Sequence, residues 1–294
     1  MVAKKFDIVQ IILMLLVAVF CIFCLIPFAM VISGSLSSER DIFQYGYTLI
    51  PRNPTLLSYK ILLLGSARVI NAYKVSIIVT VCGTLLGLLA NTLGAYAMAR
   101  RTLKYRNILS IYALLTIMFN GGLVPWYIIC VNYLHLKETL FALILPAVAN
   151  AFYMYLIRNY LLSIPEEMYE SAKIEGAGEW RIFVQIIMPL AKPVLATIGL
   201  FFALQYWNDW FLGLMYTDTQ ELQPLQLILR VLINNVDFLR TSANASEMSR
   251  LSAAIPSEGI KMAATIITIG PIVFVYPFLQ KFFIKGIMVG AVKG

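Results

Sequence analysis

Six stretches without a single Asp, Glu, Lys or Arg punctuate this sequence: residues 8–38, 75–99, 107–136, 139–157, 194–208 with a continuation past Asp209 to 217, and 262–280. Each can supply the roughly 20 apolar residues with which a helix crosses about 30 Å of hydrocarbon, and no soluble fold demands so many. Composition agrees: 60% of residues are hydrophobic and 13% charged, about half the charge of a typical soluble chain. The chain reads as an all-α membrane protein, a single transmembrane domain over 1–294. Its six transmembrane helices are expected at about 8–32, 75–99, 107–131, 139–161, 194–216 and 261–281. The first follows Lys4 and Lys5 as a signal peptide would, but its apolar run is too long and lacks a clean cleavage site, so it is expected to stay as an anchor.

Orientation follows from Lys and Arg. With an inside N-terminus, the inner segments hold 13 of them in 64 residues and the outer ones 10 in 94, so the denser side faces the cytoplasm. The short loop with Arg100, Arg101, Lys104 and Arg106 carries most of this argument, and both termini are expected inside. The net charge of +8 is spread in short groups between apolar runs, which suits lipid head groups rather than nucleic acid. Cys21, Cys24, Cys82 and Cys130 lie inside apolar runs and read as small hydrophobes. With one histidine in the chain, no metal site is expected.

Gly83, Gly87, Ala90 and Gly94 form a small-residue stripe expected to let another helix approach closely. The outer segment 33–74 begins with Ser-Gly-Ser and contains Pro51 and Pro54, so it is expected to be largely loop. In the outer segment 217–260, Leu225, Ile228, Leu229, Leu232, Ile233 and Val236 recur at helical spacing and predict an amphipathic helix, lying on the membrane surface or covering a cavity mouth.

The cytoplasmic segment 163–193 is the most informative. Ser163-Ile-Pro-Glu166 reads as a capping box with proline in the first turn, and Glu166, Glu167 and Glu170 place negative charge at the positive end of the helix dipole. The helix is expected to end at Gly176-Ala177-Gly178, and a second helical stretch from Glu179 to Met188 leads to Pro189. The run from Glu170 to Pro189, with Glu170, Ala172, the acidic Glu175, Gly176-Ala177, Phe183, an isoleucine and Pro189 at the spacing, resembles the EAA motif of type I ABC importer permeases. Ser171 stands for the usual alanine and Glu175 for the usual aspartate. Trp207-Asn208-Asp209-Trp210 and the tail from Gln280 to Gly294 are similar to the carbohydrate permeases of that family. Phe119-Asn-Gly-Gly-Leu-Val-Pro125 resembles a branch associated with complex oligosaccharides or polysaccharide fragments.

The resemblance implies the type I ABC importer permease fold, with a cytoplasmic coupling helix, in a bacterial plasma membrane. It also implies a second permease subunit in a heterodimer, two cytoplasmic ATPase subunits, an extracytoplasmic solute-binding protein and an oligosaccharide substrate. Coupling to the ATPase would fall to Glu170, Ser171, Ala172, Glu175, Gly176, Ala177 and Pro189. The sequence itself contains no Gly-Lys pair, hence no phosphate-binding loop of the G-x-x-x-x-G-K-[ST] type. No cofactor is expected in this chain; ATP and magnesium belong to the partner ATPase, and the chain is expected to be a non-catalytic transport subunit.

Sugars stack their C–H faces on aromatic rings while amides and carboxylates bind their hydroxyls, so Tyr206, Trp207, Asn208 and Asp209 are candidates for the solute path. Asp209 is the one acid within an expected span, and a buried charge there must face water or find a partner. Alternatively it braces a broken helix and the aromatics form an interfacial belt. Asn120, Trp126 and Tyr127 repeat the polar-plus-aromatic mix. The same architecture could import a non-sugar solute such as phosphate, polyamine or peptide, and a membrane sensor or scaffold is a further alternative.

Overall fold

The computed structural model describes residues 8–64, 67–242 and 257–291. Lys4, Lys5, the stretch 243–256 of the outer segment and the last three residues lie outside the described residues. In chain order the helices are α1 (Ile8–Ser35), α2 (Glu39–Tyr45), α3 (Leu57–Tyr59), α4 (Ala67–Ala99), α5 (Arg106–Met118), α6 (Leu123–Ile128), α7 (Leu140–Val148) and α8 (Ala151–Leu161). They continue with α9 (Glu167–Ile174), α10 (Glu179–Ile182), α11 (Met188–Leu190), α12 (Lys192–Trp207), α13 (Phe211–Tyr216), α14 (Leu225–Ser242) and α15 (Ser257–Ala291). One-turn π-helical stretches extend α3, α6 and α10. No strand forms among the described residues; Ser37 and Pro54 make an isolated antiparallel bridge.

Helices α1 and α4 are each long and apolar enough to cross a bilayer unbroken. Three bent pairs bring the number of spans to five if each pair is one span. The sixth expected span, about 261–281, lies on α15 and runs past the residues whose side chains are described. The spans expected at 107–131 and 139–161 each contain a break. Helix α5 meets α6 and its extension at 115°, and α7 meets α8 at 50°.

The chemistry of each break is visible. At the first, Gly122 takes φ +89° and its N–H donates to Asn120 Oδ1 at 2.9 Å, which ends α5 in a local turn that competes with the helix. At the second, Pro146 inside α7 supplies no N–H, and α8 restarts at Asn150, whose side chain accepts from Tyr153 N at 3.2 Å. Buried Asn91 on α4 satisfies the groups the break exposes. Its amide donates to Val148 O and Gly87 O, both at 2.6 Å, and its Oδ1 accepts from Asn150 N at 2.9 Å. In hydrocarbon an irregular backbone survives only where protein supplies such partners.

Two compact units make up the chain: residues 1–69 with 229–270, and residues 70–228 with 271–294. In the first, Ser33 to Ser35 continue α1 instead of opening a loop, and the segment expected to be largely loop contains α2 and α3. Ser38 caps α2 through Asp41 N at 3.2 Å. The buried Glu39 carboxylate accepts from Glu258 N at 3.2 Å and Gly259 N at 3.4 Å, an anion at the positive end of α15.

In the second unit one apolar core joins α4, α7, α8, the 163–193 segment and α12, with Tyr96, Ile144, Ile157, Ile182, Phe183, Ile198 and Phe202 at its centre. The small-residue stripe is a packing surface. A Cβ added at Gly83 would stand 2.5 Å from the Tyr206 ring, and one at Gly87 would stand 2.9 Å from the Phe202 ring. Only glycine admits these rings, as small-residue packing in membranes requires. The expected amphipathic helix appears as α14; Leu225, Ile228 and Leu229 are buried and Leu232 and Ile233 half-buried, while the Val236 side chain lies outside those described.

Candidate coupling segment and solute path

Helix α9 ends as the glycine predicted. Gly176 takes φ +80°; its N–H donates to Lys173 O and the N–H of Ala177 to Ala172 O, both at 2.9 Å. This paired closure is the Schellman motif. The start of the helix differs from expectation. Ser163 does not cap it: its hydroxyl donates backwards to Tyr160 O at 2.7 Å, and α9 begins after Glu166, which makes no side-chain cap. The Glu166 carboxylate is turned instead toward Arg100 at 3.7 Å and Arg101 at 3.6 Å.

Among the residues assigned to coupling, Ala172 is buried in the core and Ala177 half-buried. Glu170, Ser171, Glu175, Gly176 and Pro189 are exposed, and the Ser171 hydroxyl donates to Glu167 O at 2.8 Å. Small Ala172 therefore seats the helix while its neighbours face outward. Two large apolar side chains stand beside them, Ile174 at 87% exposure and Trp180 at 66%.

Sequence reasoning used Arg100 for topology alone and missed its place in the site. Its guanidinium, 5% exposed as a residue, donates to both oxygens of Glu179, Nε to Oε2 at 3.2 Å and Nη2 to Oε1 at 3.0 Å. It also lies 4.5 Å from the Tyr169 ring centroid. Tyr96 Oη donates to Glu179 Oε2 at 2.7 Å, and Lys173 Nζ reaches Oε1 at 3.1 Å. Partial burial of Glu179 opposes its ionisation, but bonds from Arg100, Tyr96 and Lys173 outweigh it and hold the carboxyl at about 2. The stabilisation from this ion pair is fully present above the ordinary carboxylate pKa and is lost as pH falls from there through about 2. The signal was a loop with four cations in seven residues facing a segment rich in Glu.

The solute-path candidates fall into two settings. At the end of α12, Tyr206 is 2% exposed, and its hydroxyl donates to Ile144 O at 2.9 Å while its ring fills the space over Gly83. Trp207 is 6% exposed, edge-on to Tyr73 at 5.7 Å. It borders an apolar cavity of about 80 Å³ shared with Thr80, Leu204 and Pro271. Asn208 is exposed and its amide donates to Leu204 O at 2.9 Å. Asp209 Oδ1 accepts from Leu212 N at 2.9 Å, which caps α13 after the break in the span. At the α5–α6 break, Asn120 forms the turn described above, Trp126 is exposed and Tyr127 stacks on Tyr216 with centroids 5.7 Å apart. Tyr206 and Tyr127 thus spend their rings on packing, and Asp209 spends one oxygen on a helix start.

A family profile described as binding-protein-dependent transport system inner membrane component matches residues 6–289. The chain is 38% identical over 270 residues to protein LplC of Bacillus subtilis (strain 168), covering 92% of this chain and 90% of that protein. It is 34% identical over 277 residues to the polygalacturonan/rhamnogalacturonan transport system permease protein YtcP of the same organism, covering 94% of each. A crystal structure of a bacterial ABC transporter involved in the import of the acidic polysaccharide alginate superposes with a TM-score of 0.81 at 28% identity, over 96% of this chain and 100% of that one.

Proposed function

The chain belongs to the family of binding-protein-dependent transport system inner membrane components, and from that premise we propose that it forms one half of a heterodimeric pore that imports an oligosaccharide or polysaccharide fragment. Membership makes it a membrane-embedded, non-catalytic subunit of an ABC importer that works with a partner permease, an ATPase and a binding protein. The finer assignment is a complex with two ATPase subunits, one of them docked on α9 and α10 of this chain, with ATP and magnesium held by the ATPase subunits. The chain sits in a bacterial plasma membrane, both termini in the cytoplasm.

The observation that carries this reading is the helix pair closed by Gly176, with Ile174 and Trp180 bare at its outer face. Such a surface is suited to a cleft in a soluble partner, and the Lys/Arg count puts it on the cytoplasmic side. The sugar assignment is supported by what the relatives' names give, polygalacturonan/rhamnogalacturonan for YtcP and alginate for the structural neighbour. Reconstitution of the complete complex in proteoliposomes, with galacturonate trisaccharide outside and ATP inside, tests it. ATP-dependent accumulation of the trisaccharide supports the assignment. Sugar-independent hydrolysis that instead drives phosphate, polyamine or peptide uptake would move the chain to the non-sugar reading.

A further inference from the structure

The coupling segment shares an apolar core with α4, where the Tyr96 and Phe183 rings lie 5.2 Å apart, and a covalent and an ionic route also tie it to the spans. The covalent route runs from α10 and α11 into α12 and is bent by 80°. The other is ionic. Arg100 follows directly on α4, its N–H donating to Tyr96 O at 3.0 Å. Its guanidinium grips the entry of both helices that flank the glycine turn. Glu179, the first residue of α10, is held through two hydrogen bonds at 3.2 and 3.0 Å, and Glu166, just before α9, lies at 3.7 Å. Lys173 ties the two arms to each other through Glu179 at 3.1 Å.

Beyond this grip α4 runs unbroken and without proline. From Arg100 to Gly83 is about 25 Å at 1.5 Å per residue. There Gly83 and Gly87 receive the rings of Tyr206 and Phe202 from α12.

We propose that Arg100 is a positioning residue that clamps α9 and α10 to α4, so that displacement of the coupling segment by the ATPase moves α4, and its contacts with α12, as one body. The inference rests on the importer reading above. A two-pronged guanidinium–carboxylate pair fixes orientation as well as distance, which a lysine ammonium does not. Without the clamp, apolar packing alone joins α9 and α10 to α4; it is non-directional, so the segment can shift against α4 when the ATPase pulls on it.

The test uses the complete complex in proteoliposomes, its native cysteines replaced (here Cys21, Cys24, Cys82 and Cys130), with spin labels on cysteines replacing exposed Met168 on α9 and exposed Leu86 on α4. The interlabel distance is measured without nucleotide and after trapping with ATP and vanadate. In the wild type it should stay constant. In Glu179→Gln and Arg100→Gln it should shift or broaden on trapping, and the double variant should be no worse than the worse single one; Arg100→Lys should recover part of the constancy. Glu179→Gln keeps a neutral partner for Tyr96, and ATPase recovery and ATP hydrolysis are measured beside each distance.

A wild-type distance that changes on trapping, or a Glu179→Gln distance that does not, would overturn the clamp. Failure of both variants to assemble would make the pair a folding contact and overturn it as well. A wild-type complex that neither recruits an ATPase nor traps vanadate would bring down the importer reading itself, and the clamp with it.

Discussion

Replacing Gly176 by valine should weaken ATPase docking without disturbing the membrane core. The penalty can be worked from two observations. The residue sits at φ +80°, and a Cβ there would meet nothing within 4 Å, so the cost is conformational and not steric. Left-handed backbone costs an L-residue roughly 1–2 kcal/mol, least for asparagine and most for β-branched side chains. Helix α9 depends on this conformation for its two closing bonds, from Ala177 to Ala172 and from Gly176 to Lys173. The expected order is therefore asparagine below about 1 kcal/mol, alanine about 1 and valine about 2. A penalty of that size changes a local equilibrium by about 5- to 30-fold. The assay is recovery of the ATPase with the tagged permease, alongside thermal unfolding of the permease in detergent. Recovery should fall from Asn to Ala to Val while the unfolding temperature holds. Equal recovery by the asparagine and valine variants would refute the reasoning, because it would mean that the positive φ is not what shapes the docking surface.

Three other outcomes follow from the packing. Asn91→Ala removes the partners of Val148 O and Asn150 N; at about 0.6–1.7 kcal/mol for each membrane hydrogen bond, it should cost about 1–3 kcal/mol in SDS-titrated unfolding. Gly83→Val should cost at least as much as a typical overpacked core, about 1–3 kcal/mol, because its Cβ would stand 2.5 Å from the Tyr206 ring; the matching relief by Tyr206→Ala in the double variant would identify the clash. Asp209→Ala should destabilise α13 by about 1 kcal/mol through loss of the cap, whereas Asp209→Asn should not. If Asp209→Asn keeps stability but loses trisaccharide uptake, the carboxylate charge acts on the solute; if uptake is unchanged, its role is the cap.

Much of this architecture was legible because hydrophobic spans and glycine punctuation are local signals. The runs around α1 and α4, the stripe of Gly83 and Gly87, and the turn at Gly176 could all be read directly. The breaks at Gly122 and Asn150 were not, because hydropathy sums a window and is blind to the direction of the chain. Asn91 hides for a related reason: a polar residue in an apolar run shows its purpose only when the carbonyl and N–H it satisfies arrive from residues 148 and 150. Ser163 failed as a cap because the capping-box pattern took no account of Arg100 and Arg101, which face Glu166 across the fold. Tyr206 read as a sugar platform by residue type, and its burial over Gly83 came from α4, more than a hundred residues away in sequence.

The central claim is that the exposed face of α9 and α10 meets an ATPase, and a photo-crosslinking amino acid in place of Ile174 tests it most directly. Ile174 is 87% exposed and its side chain carries no part of the core, so the replacement should leave the fold intact. Illumination of the complex in native membranes should join this position to the ATPase subunit, with less product when ATPase subunits are stripped off. Crosslinks to lipid alone from an intact, ATP-hydrolysing complex would contradict the account.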